Sequence, residues 1–160
     1  MSYSQKKCFM KIAIGSDEKC HLTDRVVALV QEGGHAVSLF GPLQAGPQDW
    51  PEVARQVAEA VASGAVDEGI LFCWTGTGVS LVANKVPGIR AALCDDAETA
   101  RGARLWNNAN IRCISIRRTS EVMAKEILDT WFSTSYVPND GDDRCLRQVA
   151  ALDAAYRAKE

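Results

Sequence analysis

The chain has 160 residues, of which 47% are hydrophobic and 24% charged, with a formal net charge of −2. This length and composition fit one soluble globular domain and exclude a disordered chain. The charge leaves no basic stripe for nucleic acid, and no run approaches the roughly 20 apolar residues of a membrane span.

Residues 1–9, "MSYSQKKCF", carry two lysines but no apolar stretch of signal-peptide length, so they are expected to be a short N-terminal extension. A single domain is expected over 10–160. The six cysteines (8, 20, 73, 94, 113 and 145) are scattered without a CxxC pair or metal-ligand spacing, and there are only two histidines. They read as reduced thiols of a cytoplasmic protein, with neither a disulfide framework nor a zinc site.

In chain order, apolar runs alternate with amphipathic segments. The runs are "MKIAIGS" (10–16), "AVSLF" (36–40), "GILFC" (69–73), "RAALC" (90–94) and "IRCISI" (111–116). Several are apolar at consecutive positions, as in strands covered on both faces. Helical patterns fall near 19–32, 51–63, 78–85, 96–106 and 120–132, with a last one near 143–158. "EGGH" (32–35) and "SG" (63–64) close helices, and "DWP" (49–51) opens one. The alternation predicts a three-layer α/β/α, Rossmann-like domain with a five-stranded parallel sheet and a C-terminal helix. In such sheets ligands sit beyond the C-terminal ends of the strands, which directs attention to residues 16–20, 40–50, 73–80, 95–96 and 117–119.

The stretch "FCWTGTGVSLVANKVPG" (72–88) follows the third run and opens a helix. Its amides suit a bound anion, but a tight turn with glycines for backbone geometry alone accounts for the spacing equally well. It is not a dinucleotide fingerprint, because Leu81 stands where GxGxxG needs a third glycine, and no Gly-Lys-Ser/Thr follows to make a P-loop. Cys73 stands just before the helix start, where a thiolate is favoured and suited to nucleophilic or general-base work. A buried, inert thiol is the ordinary alternative.

"KIAIGSD", "DWPEVARQVAEAVASG", "DEGILFCWTGTGVSLVANKVPGIRAALC" and "NNANI", in this order, resemble the ribose-5-phosphate isomerase type B and galactose-6-phosphate isomerase family over about residues 10–150. The resemblance implies aldose–ketose isomerisation through an enediolate without metal, nucleotide or other cofactor. It also implies a homodimer with sites at the subunit interface, tetramers being left open. By the same resemblance Cys73 matches the thiol base and Thr75 the hydroxyl that handles oxygen-bound protons. Asp17 matches an aspartate beside the sugar, and the loop of Trp74, Gly76, Thr77 and Gly78, with Asn107, matches the anion hole. Arg117 and Arg144 match positions that hold the substrate phosphate.

The chain also departs from that family. Glu18 replaces a histidine of the first loop, and Trp106 stands in the place of the ring-opening histidine. Trp74 replaces a glycine, Trp50 a tyrosine, and the second phosphate-binding arginine falls on Gln148 with Arg147 adjacent. An indole N–H only donates hydrogen bonds, so Trp106 cannot transfer protons as an imidazole does. A carboxylate at Glu18 would repel a phosphate dianion. These changes favour a shifted substrate, either a linear one such as a tetrose phosphate or a sugar bearing another polar group at Glu18, over a cyclic pentose phosphate, with ribose 5-phosphate kept as a candidate by the resemblance. A non-catalytic sugar-binding or regulatory dimer on the same scaffold stays open as the alternative. His21, one helical turn beyond Glu18, reads as a solvent-facing or capping residue, and His35 as structural.

Overall fold

The computed structural model describes residues 9–157, so the expected extension at 1–9 lies, apart from Phe9, outside the described residues. Five strands, β1 (Lys11–Ser16), β2 (Ala36–Phe40), β3 (Glu68–Cys73), β4 (Ala91–Leu93) and β5 (Ile111–Ser115), form one parallel sheet in the order β2-β1-β3-β5-β4. Each falls on its apolar run. Six helices connect or follow them: α1 (His21–Glu32), α2 (Trp50–Ala62), α3 (Thr77–Ala83), α4 (Ala97–Asn107), α5 (Glu121–Ser133) and α6 (Asp140–Arg157).

The two-residue alternation of the strands divides the core between two faces. Ile12, Ile14, Ile70, Phe72 and Ile114 face one way and are covered by α1, α4 and α5. Ala13, Leu71, Cys73, Ile111 and Cys113 face the other way and are covered by α2 and α3. This is the expected three-layer arrangement. Helix starts follow local chemistry: Asp96 accepts the N–H of Thr99 at 2.7 Å and Ser120 that of Met123 at 3.1 Å. Helix α6 begins earlier than its periodicity suggests. Asn139 accepts the N–H of Asp142 at 2.9 Å, and three aspartates fill the first turn, so the helix is capped and begins at Asp140 rather than near 143.

One polar cluster interrupts the core at the N-terminal end of the sheet. Glu68 lies 3.1 Å from Arg104 and 3.3 Å from Arg112, and accepts the indole N–H of Trp131 at 2.7 Å. The Arg112 guanidinium is fully buried between the rings of Trp131 and Phe132, 4.8 and 4.4 Å from their centroids. Burial pushes its pKa down to about 10, partly offset by Glu68. Glu68, Arg104 and Trp131 also line a cavity of about 430 Å³ there.

Candidate active site

The connection from β1 to β2 leaves on one side of β1 and β3 returns on the other, so the C-terminal ends of β1 and β3 flank a topological switch point. In register, Ser16 stands beside Phe72, which carries Asp17 to the level of Cys73. On the other flank Cys73 pairs with Ser115 of β5. Cys73 is the last residue of β3 and only 6% exposed, packed toward α2 and α3. Trp74 and Thr75 follow as exposed residues of the turn.

The turn is held from behind. The carbonyl of Cys73 accepts the N–H groups of Gly76 (3.3 Å) and Ile116 (3.1 Å). The carbonyl of Trp74 accepts the N–H of Arg117 and the hydroxyl of Ser115, each at 3.0 Å. Two successive carbonyls are thereby committed to the β5 side, which fixes the peptide planes around the thiol. Gly76 has φ +74°, and a Cβ there would stand 2.6 Å from Leu93 Cδ1, so neither backbone nor space admits a side chain. Gly78 gives room of another kind: the Trp50 ring lies where a Cβ would be 3.0 Å from it, so Trp50 covers the start of α3. The hydroxyls of Thr75 and Thr77 are hydrogen-bonded at 2.7 Å.

Next to Cys73, the first loop is shaped by Ser16, whose hydroxyl donates to the carbonyl of Glu18 at 2.6 Å and accepts its N–H at 3.2 Å. Partial burial, reinforced by the adjacent Glu18 charge, holds the Asp17 carboxyl above the usual aspartate range. The folded state therefore binds this proton more tightly than the unfolded state. Below its unfolded-state pKa the carboxyl is protonated in both states and contributes no pH-dependent stability, and it costs stability as pH rises through the folded-state pKa. Asp17→Asn is expected to raise the melting temperature at pH 7 but not at pH 3, while lowering activity. Thermal scans at both pH values, with a turnover assay, check this.

The structure thus brings together Asp17, Glu18, Trp50, Cys73, Trp74, Thr75, Gly76, Thr77, Gly78 and the backbone of Arg117. It does not bring the remaining expected residues to them within one chain. Helix α4 runs back against the strands, so Trp106 and Asn107 at its end lie at the opposite end of the sheet from Cys73, beside a cavity of about 270 Å³. Trp106 folds over Gly102 of its own helix, where a Cβ would be 2.7 Å from the ring. Arg144 and Arg147 are exposed on α6, which packs against α4 and is tied by Asp153 to the N–H of Gly88 at 2.8 Å. His21 is solvent-facing, 3.7 Å from Glu121, and His35 stacks on Phe132 at 4.6 Å, as their sequence contexts suggest. Of the other cysteines, Cys94 and Cys113 are buried thiols whose pKa burial pushes up, Cys94 to about 12. The arginine–glutamate cluster escaped sequence reading, because Glu68 stands at the polar edge of a strand and Arg112 inside an apolar run.

Comparison with known proteins gives a consistent result. The sequence model described as "Ribose/Galactose Isomerase" matches residues 12–151. Ribose-5-phosphate isomerase B of Escherichia coli (strain K12) is 40% identical over 127 residues, covering 79% of this chain and 85% of that protein. D-erythrulose-4-phosphate isomerase of Pectobacterium atrosepticum is 36% identical over 129 residues, covering 79% and 85%. Among solved structures, ribose-5-phosphate isomerase B of Clostridium thermocellum superposes with a TM-score of 0.86 at 37% identity, covering 92% of this chain and 99% of that one.

Proposed function

This chain belongs to the ribose/galactose isomerase family and is an aldose–ketose isomerase, and we propose that Cys73 is its carbon-proton base and that its substrate is a linear four-carbon sugar phosphate. The observation that carries the proposal is the β3 turn. It sets a cysteine at the switch point of the sheet, on a backbone locked by Ser115 and Arg117, with threonine hydroxyls next to it.

Isomerisation requires a base that moves a proton between adjacent carbons and donors that stabilise the oxyanion formed between the two transfers. Cys73 supplies the first. The amides from Trp74 to Gly78, apart from that of Gly76, which is given to the Cys73 carbonyl, supply the second, and Thr75 handles the oxygen-bound proton. Asp17 orients a sugar hydroxyl. Arg117 stands at the end of β5, where it can meet the phosphate.

The substrate class follows from what the site lacks. A pentose 5-phosphate closes into a furanose and needs an acid–base group to open it, whereas Trp106 only donates a hydrogen bond. A tetrose 4-phosphate has its O4 esterified and has no free hydroxyl with which to close such a ring. A relative named for D-erythrulose 4-phosphate supports this choice. We expect kcat/KM for D-erythrulose 4-phosphate to exceed that for ribose 5-phosphate by about 10²-fold, the scale of one acid–base group. Parallel assays check it, and a preference for ribose 5-phosphate would overturn the assignment. A panel of aldoses and ketoses in heavy water tests the chemistry itself, since an active base introduces deuterium next to the carbonyl.

The separation of Trp106, Asn107, Arg144 and Arg147 from Cys73 supports a homodimer with a two-fold axis. In such an isologous pair, residues from one end of each subunit complete the turn of the other. Analytical ultracentrifugation tests the dimer and any further pairing into tetramers. No helix among the described residues is long and apolar enough to cross a membrane. The described cysteines are free thiols, which fits the reducing cytoplasm.

A further inference from the structure

We propose that Thr77 is a second catalytic hydroxyl, and that Thr75 and Thr77 together form a two-hydroxyl relay passing the oxygen-bound proton between the two substrate oxygens. The proposal rests on the isomerase reading above and adds a residue to it. The two Oγ1 atoms are 2.7 Å apart and either can donate to the other. Both residues are exposed beyond the end of β3, on the turn that carries Cys73. Their spacing is close to that of oxygens on adjacent carbons of a cis-enediolate, so each hydroxyl can face one of the two.

The need for such a pair follows from the proton inventory. Taking the aldose to the ketose, the Cys73 thiolate removes the C2 proton. The C2–H electron pair becomes the C1=C2 π bond, and the carbonyl π pair moves onto O1. Thr75 gives its hydroxyl proton to O1 and takes the proton of Thr77. Thr77 in turn takes the proton of O2–H. The pair released at O2 becomes the new carbonyl bond to C2, and the C1=C2 pair takes the proton back from Cys73 at C1. One proton has moved from C2 to C1 and one from O2 to O1, with the thiolate and both hydroxyls regenerated. The step needs no other reactant.

The geometry explains why two hydroxyls serve better than one. A single threonine must turn its O–H from one oxygen to the other within the life of the enediolate. A hydrogen-bonded pair shifts its protons along bonds already formed, without moving a heavy atom. Thr77 is also the first residue of α3, following Gly76 with its left-handed backbone, so its position is set by main-chain geometry rather than by a mobile loop.

The test separates proton exchange at carbon from isomerisation. With D-erythrulose 4-phosphate as the probe in heavy water, deuterium entering recovered ketose at C1 reports carbon-proton removal and return. Deuterium at C2 of the aldose reports completed isomerisation. Thr77→Val keeps the side-chain shape at an exposed position and removes the hydroxyl. It is expected to slow isomerisation about 10²-fold and to raise the ratio of exchange to isomerisation at least tenfold, with Thr77→Ser recovering most of both. Thr75→Val should shift the ratio in the same direction. An unchanged ratio in Thr77→Val, with the parent chain active, overturns the relay alone. No deuterium in either sugar with the parent chain overturns the isomerase reading for this substrate and the relay with it.

Discussion

Cys73→Ser is expected to lower isomerisation about 10³-fold while leaving sugar-phosphate binding nearly intact. The substitution is almost isosteric, and the backbone bonds that hold the turn run through the Cys73 carbonyl rather than its side chain. What changes is acidity. As a class, thiols are much stronger acids than alcohols, so serine offers no comparable base in this place. The residue is 6% exposed and packs toward α2 and α3, so the exchange leaves the surface of the turn unchanged. Steady-state kinetics and deuterium incorporation measure the loss, and calorimetric titration with the sugar phosphate measures binding. Turnover within a few-fold of the parent would remove Cys73 from the mechanism.

Glu68→Ala carries the largest expected effect on stability, a loss of about 3–5 kcal/mol, because it breaks a buried ion cluster from one side. It would leave the fully buried Arg112 and the largely buried Arg104 without their shared carboxylate, and the Trp131 indole N–H without its acceptor. For a chain of this size that corresponds to a fall in melting temperature of about 10 °C or more. Glu68→Gln should cost less, since an amide oxygen still accepts from Trp131 while the two ion pairs are lost. Calorimetry on both variants checks the order. A melting temperature unmoved in Glu68→Ala would mean that the cluster is balanced by its own desolvation.

The strands and helices were legible because parallel strands and their covering helices have strong, different periodicities. "GILFC" and "MKIAI" admit few other readings. The strand order was not legible, since β5 inserts between β3 and β4 through contacts remote in sequence. The same limit hid the ion cluster: Glu68 and Arg112 are 44 positions apart, and neither lies in a motif. Within the site, the β3 turn was legible from its glycines and cysteine. Spacing gave no hint that Trp106 and Asn107 end at the far side of the sheet, because that depends on the direction in which α4 runs. The start of α6 was misplaced for a local reason, since "NDGDD" has the composition of a turn but the hydrogen bonds of a helix cap.

The contact between Gly102 and Trp106 couples two positions of α4. A mid-helix glycine weakens α4 by about 1 kcal/mol relative to alanine, and the vacated volume is taken by the indole one turn later. A side chain at 102 would require this ring to move. Replacing Trp106 alone by a smaller side chain would leave a trough along the helix. The two positions are therefore best exchanged together.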